Sequence, residues 1–249
     1  MNKWILLVLT FLIHINVNAQ FNSQRVVLIT CLYNEDNPER AEEYLVCLKQ
    51  NLACPFIDVI HVIYDTTNDD KIDTSKNAIL NYLIEKSVLI TYTNCRQSYE
   101  MCFDIANTLY PNSKVIVSNA DIYFNHTLEY LKHYNLTGKF LTLTRWNVKK
   151  DGSLDLYRTK ELYGTPDGSS HDSWVFTTPL RPFKNSRIEL GTKHCDGRIA
   201  FQAQQAGLHV LNPCLTLQTC HVHLTGLRRY PNTPYPRGEM LNVPFSTLE

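Results

Sequence analysis

From residue 26 onward the chain alternates continuous apolar runs with segments whose apolar positions recur at helical spacing. Residues 26–32 form the first run, opening into Tyr33-Asn34-Glu35, the pattern of a buried strand that ends in a loop. Asn37 is placed to cap a helix, Pro38 suits its first turn, and Ala41, Tyr44, Leu45, Leu48 and Leu52 share one side. Residues 57–64 predict a second strand ending at Asp65 and residues 74–85 a second helix. Residues 88–92 and 98–109 predict a third strand and helix, and residues 115–118 a fourth strand. This βαβ succession predicts an α/β fold with a mostly parallel sheet covered on both faces. In open sheets of that kind ligands bind beyond the carboxyl ends of the strands, where Asn34, Asp65, Arg96 and Asp121 all fall.

Beyond residue 125 the pattern turns mixed, with short strands predicted at residues 140–144 and 174–177 between Gly-, Asp- and Ser-rich loops. A helix is expected from near Asp196 to a glycine cap at Gly207. Strand-like stretches around Val210 and over residues 215–219 lead to Cys220-His221-Val222-His223, and the Pro-rich tail after Tyr230 is expected on the surface. At the other end, Lys3, an apolar stretch over residues 4–13 and the small-residue site Val17-Asn18-Ala19 predict a signal peptide at residues 1–19. That stretch is short of the roughly 20 residues a membrane span needs. Residues 20–249 are then expected to form one domain, with no linker or repeat.

Composition narrows the partners. The 24 basic and 24 acidic residues balance, which removes the broad positive footprint of a general nucleic-acid binder. Eight cysteines on an exported chain permit several disulfides, and none of them forms a CxxC pair or zinc-site spacing. Asn125-His126-Thr127 and Asn135-Leu136-Thr137 are glycosylation sequons in a eukaryotic host.

Four constellations carry candidate chemistry. In Lys114 to Asn125, KVIVSNADIYFN, a carboxylate interrupts an apolar run, and so requires a metal, an Arg or convergent donors as its partner. Asn119 and Asp121, two apart at a strand end, are expected on one face, where hard oxygen ligands suit Mg²⁺ or Mn²⁺; the competing reading pairs Asp121 with an Arg. In His171-Asp172-Ser173-Trp174, Asp172 is either a catalytic carboxylate beside a sugar-stacking aromatic or a turn residue before a strand. Asp196, in Cys195-Asp196-Gly197-Arg198, is either a helix cap or a general base. His221 and His223, two apart, are expected on the same face of a strand, either as metal ligands or as structural or solvent-exposed histidines. Arg228 and Arg229 follow, as a phosphate contact or a solvated turn.

Taken in order, Tyr33-Asn34-Glu35, NADIYF from Asn119, LTRW from Leu143, SHDSWVF from Ser170, CDGRIAFQAQQAG from Cys195 and HVHLTGLRRY from His221 resemble the small glycosyltransferases of the A-type (GT-A) fold. The resemblance spans roughly residues 25–230. It implies a Rossmann-type mixed sheet flanked by helices and transfer of a sugar from a nucleotide-sugar donor to a hydroxyl of a carbohydrate or glycoconjugate. The family's Asp-x-Asp element, which binds a divalent metal and the donor diphosphate, corresponds to Asn119-Ala120-Asp121, with its first Asp replaced. By the same resemblance His221 or His223 completes the metal shell, Asp196 acts as base or positions the acceptor, Asn34 and Asp65 contact the nucleoside, and Arg96 lies near the base or diphosphate. Placement in the secretory pathway of a eukaryote, or export from a bacterium, is the expected localisation. Two other readings compete: a non-catalytic glycan- or nucleotide-binding protein, suggested by Asn119, and a metal-dependent hydrolase using Asp121, Asp172 and the two histidines.

Overall fold

The structure is a computed structural model that describes residues 24–67, 77–164, 167–227 and 238–249. The expected signal peptide and Arg228–Arg229 lie outside the described residues, as does the start of the predicted second helix. The first half follows the predicted alternation. Strands β1 (Val26–Tyr33), β2 (Val59–Asp65), β3 (Leu89–Thr93) and β4 (Lys114–Ser118) are interleaved with helices α1 (Pro38–Ala53), α2 (Ala78–Glu85) and α3 (Tyr99–Leu109). Local chemistry sets the helix starts. The Oδ1 of Asn37 accepts from the Arg40 amide at 2.9 Å with Pro38 in the first turn, and Ser98 Oγ accepts from the Met101 amide at 3.3 Å.

The second half is mixed, as expected, with β5 (Ile122–Phe124), α4 (Glu129–His133), β6 (Lys139–Leu143), β7 (Arg145–Val148), β8 (Leu154–Leu156), α5 (Thr159–Tyr163), β9 (Ser173–Thr177), α6 (Cys195–Gln205), β10 (His209–Leu211) and β11 (Thr219–His221). The main sheet runs β3-β2-β1-β4-β9-β6-β10, with β9 antiparallel to both neighbours and the other pairs parallel. A smaller sheet, β5-β11-β7-β8, stands beyond the carboxyl end of β4. Strand order reverses between β1 and β4, since β1 is followed in the sheet by β2 and β3 on one side and by β4 on the other. The loops leaving β1 and β4, with Asn34 and Asp121, therefore flank the crevice that such a reversal opens.

Side chains of β1 alternate between two cores, as a strand covered on both faces must. Val26, Leu28 and Leu32 pack with Tyr44, Leu45 and Leu48 of α1, Ile79 and Leu83 of α2 and Leu131 of α4. Val27 and Ile29 pack instead with Tyr99, Phe103 and Ala106 of α3 and Ile199 and Ala203 of α6. Full burial of each aliphatic or aromatic side chain in these layers contributes about 1.5–3 kcal/mol.

Four expectations are corrected. The strand expected over residues 215–219 is mostly a turn, closed by Thr216 and Leu217 amides donating to the Pro213 carbonyl, and only Thr219 onward joins the small sheet. Pro213 has no N–H to give a ladder, which favours the turn. The end of the tail is not a surface appendage: Val243 is buried, its amide donates to Gly168 O at 3.0 Å, and Leu241 N donates to Gly197 O at 2.9 Å. A Cβ on Gly168, at φ +85°, would stand 2.0 Å from the Val243 carbonyl oxygen, so only glycine fits this crossing. Trp174 is no sugar platform, being 1% exposed and edge-on to Tyr99 in the core. Finally, all eight cysteines are free thiols, so the expected disulfides are not present among the described residues.

One buried cation serves the fold. Lys114 Nζ donates to the carbonyls of Leu131, Lys132 and Tyr134 at 2.6, 2.8 and 2.8 Å, closing the carboxyl end of α4 where the helix dipole favours positive charge. Replacing it by Met leaves those carbonyls unpaired, and Lys114→Met is expected to cost about 2–4 kcal/mol in chemical denaturation.

Candidate metal and donor site

Asp121 lies in the turn between β4 and β5, held there by the amide of Val222 donating to its carbonyl at 2.9 Å. Its carboxylate is the centre of the site. Oδ2 accepts from Arg40 Nη2 at 2.5 Å, and faces His221 Nε2 at 3.1 Å and His223 Nδ1 at 3.9 Å. Burial alone would push this carboxyl up, but His221 and Arg40 together hold it well below the usual carboxylate range. Asp121 thus has the Arg partner of the competing reading, and beside it a pair of imidazoles that could share a metal with it.

The imidazoles arrive from β11 and the residues just past it, and their rings stack at 5.3 Å with 12° between planes. His221 Nδ1 lies 3.1 Å from Asn147 Oδ1 on β7. Towards Asp121 alone Nε2 serves as the donor; with Nδ1–H given to that Asn147 oxygen, Nε2 would offer its lone pair to a cation instead. Both ring nitrogens of His223 are buried without a hydrogen-bond partner, and burial pushes its pKa down, so it stands as a neutral donor. One ligand atom from each of Asp121, His221 and His223 can be chosen so that all lie within 4.8 Å of one another. A mixed carboxylate and imidazole set fits a first-row cation such as Mn²⁺ better than Mg²⁺, which favours oxygen ligands.

Asn119 and Asp121 do not share a face. The chain turns at Ala120, with Ile122 N donating to the Asn119 carbonyl, so the strand periodicity assumed for the pair does not apply. Asn119 Nδ2 instead donates to Asp172 Oδ1 at 3.0 Å, while Arg145 Nη1 donates to Asp172 Oδ2 at 3.0 Å. Arg145 in turn stacks 3.8 Å over the Tyr157 ring. Asp172 is therefore buried with each oxygen bound, as an anchor between two loops. An amide at position 119 is what Asp172 requires, because a second carboxylate there would face it as a like charge.

The other predicted residues distribute around this centre. Asp196 sits in the first turn of α6 rather than at its cap, which is His194, and its Oδ2 accepts from the His171 amide at 2.9 Å. Arg96 does not reach towards a free crevice: Nε and Nη2 donate to the Leu190 and Gly191 carbonyls at 2.9 and 3.2 Å, fastening the loop before α6. Asp65 Oδ1 accepts from the Thr67 amide at 2.9 Å. Asn34 Nδ2 is buried without a partner, and so is Gln97 Nε2 after β3. Two such orphaned donors beyond the strand ends suit a polar ligand. Sequence reading missed Arg40, Glu43, Asn147, Arg145 and Gln97; only Arg40 was foreshadowed, as an unnamed Arg beside Asp121.

No family model matches the chain, and no curated protein sequence matches it significantly. Among solved structures, GalNAc-T7 with UDP, GalNAc and Mn²⁺ superposes with a TM-score of 0.53 at 10% identity, covering 81% of this chain and 44% of that one. A mannosyltransferase from Pyrobaculum calidifontis in complex with GDP-Man and Mn²⁺ gives 0.49 at 13% identity, covering 80% and 56%. The 4-diphosphocytidyl-2C-methyl-D-erythritol synthase of Anaerococcus prevotii gives 0.36 at 13%, covering 76% and 99%. The chain spans about half the length of the two sugar transferases, 44% and 56%. At these identities the first superposition speaks for the fold alone, and the other two carry no argument. The fold is GT-A-like: a seven-stranded mixed sheet flanked by helices, with the site beyond its carboxyl edge.

The contact between Asn119 and Asp172 has a testable consequence. In Asn119→Asp the two carboxyls compete for charge, which raises their pKa values in the folded state; the penalty is then largest above the carboxylate range and fades as pH falls towards about 4. Urea denaturation should show a loss of about 1–3 kcal/mol at pH 7 that shrinks markedly at pH 4.

Proposed function

We propose that the chain is a glycosyltransferase that takes a nucleotide-sugar donor and transfers the sugar to a hydroxyl of a carbohydrate or glycoconjugate acceptor. The observation that carries this reading is the convergence of Asp121, His221 and His223 at the sheet's reversal point on a GT-A-like fold. The UDP and Mn²⁺ named with the GalNAc-T7 structure, whose fold this chain resembles, support it.

Asp121, His221 and His223 would hold the cation, which when bound supplies Lewis-acid stabilisation of negative charge on a leaving diphosphate. The chain's own residues do the rest. Asn34 and Gln97 offer unpaired donors towards the nucleoside. Asp172 keeps the loop after β4 in register through Asn119 and Arg145. Asp196, with one oxygen on the His171 amide, has a second oxygen able to accept a proton from the acceptor hydroxyl. Because Asp172 has both oxygens engaged, Asp196 is the better candidate for the base.

A second reading, a non-catalytic nucleotide or glycan binder, is favoured by the Arg40–Asp121 pair, which already neutralises the one carboxylate of the motif. Turnover separates the two. Thermal-shift and turnover screens of UDP-, GDP- and CMP-sugars with Mn²⁺ or Mg²⁺ should show metal-dependent stabilisation by one donor class, and Asp121→Ala should abolish it while circular dichroism stays unchanged. Donor binding by Asp121→Ala at the wild-type level would remove Asp121 from the site. Asp196→Asn is expected to keep donor binding and lose transfer by at least about a hundredfold; undiminished turnover would pass the base role to another group. Stabilisation by a donor without any turnover would favour the binding reading.

A further inference from the structure

Arg40 is placed against the electrostatics of its own helix. It lies in the first turn of α1, where unpaired N–H groups make a cation unfavourable, yet its side chain is only 9% exposed. All of its nitrogens are engaged. Nε donates to the Tyr44 hydroxyl at 3.2 Å, Nη1 to Glu43 Oε2 at 2.5 Å and the Val222 carbonyl at 3.3 Å, and Nη2 to Asp121 Oδ2 at 2.5 Å.

Asp121 Oδ2 is the same oxygen that faces both imidazoles. A divalent cation taking that oxygen would stand within a few ångströms of the guanidinium, and repulsion between two buried cations at that range is strong. With neutral imidazoles, Arg40, Glu43 and Asp121 sum to one net negative charge. That is enough to attract a cation, but one unit less than the cluster would carry without Arg40.

We propose that Arg40 is an internal counter-ion that competes with the divalent cation for Asp121 and so sets how tightly the cluster binds metal. The inference rests on the reading of Asp121, His221 and His223 as a metal site. Arg40 has somewhere to go: leaving Asp121, its guanidinium keeps Glu43, Tyr44 and the Val222 carbonyl. Glu43 also accepts from the Thr225 amide at 2.7 Å and its Oγ1 at 3.1 Å, so the grip on Arg40 is tied to the segment that carries His223. Metal arrival and the seating of that segment are thereby coupled through one side chain.

The test is binding of Mn²⁺ alone, followed by the electron paramagnetic resonance of free Mn²⁺ at pH 7.5 without nucleotide, on the full chain. Arg40→Gln should bind Mn²⁺ at least about tenfold more tightly than the wild type, and Glu43→Gln at least about tenfold more weakly, with Asp121→Asn as the blank. Circular dichroism establishes that each variant is folded; an Arg40→Gln chain that unfolds alone should recover its folded signal with Mn²⁺. Equal or weaker binding by folded Arg40→Gln overturns the competition and leaves the metal site standing. If Arg40→Gln stays unfolded with Mn²⁺, wild-type affinity in Glu43→Gln overturns the proposal. Absence of Mn²⁺ binding in both the wild type and folded Arg40→Gln overturns the metal reading itself.

Discussion

A carboxylate that is 8% exposed at the end of an apolar strand has to be answered by positive charge, and much of the second half of the molecule is arranged to do so. Asp121 draws Arg40 from α1, His221 from β11 and His223 from the residues beyond it. These elements are 81, 100 and 102 positions away in sequence or close to it, so no local rule brings them together. The small sheet is the device that does: β11 pairs with β5, directly after Asp121, and β7 supplies Asn147 to orient His221. Without that sheet the charge on Asp121 would have Arg40 alone.

The second buried carboxylate obeys the same constraint with different partners. Asp172 has Arg145 and Asn119, and so it joins the turn after β4 to the strand start of β9 and to β7. Asn119 therefore reads less as a damaged ligand than as one half of a structural contact, and the groups that could hold a cation are one carboxylate and two imidazoles. Asp196 differs from both. Its oxygen on a single backbone amide fixes the loop of His171 against α6 and leaves capacity for chemistry. One site thus contains an anion shared between one guanidinium and two imidazoles, an anion used as an anchor and an anion with a vacancy for a proton.

The end of the chain closes the same region from the other side. The Val243 amide on Gly168 and the Leu241 amide on Gly197 lay the last described residues across the loop before β9 and the start of α6. Asn212 reinforces this by donating to Val243 O at 3.1 Å while its Oδ1 accepts from the Thr144 amide at 3.1 Å. The approach to Asp196 is consequently shaped by the residues around Leu241 and Val243, in a tail that was expected on the surface.

Sequence by itself determined the alternating first half, the cap at Asn37, the ligand edge of the sheet, and the need of Asp121 for a partner. Each of these follows from periodicity or from the cost of a buried charge, which act over a few residues. The HxH pair was also legible, because alternate residues of a strand share a face. The same rule misplaced Asn119, since the chain turns there; the sugar-stacking reading of Trp174 failed for another reason, its burial against Tyr99 of α3. Which cation answers Asp121, why position 119 is an amide, how Arg96 is spent on a loop and that the cysteines stay unpaired were decided only by tertiary structure. They depend on distances between elements far apart in the chain, and those are fixed by how two sheets and their helices pack, not by any spacing within one segment.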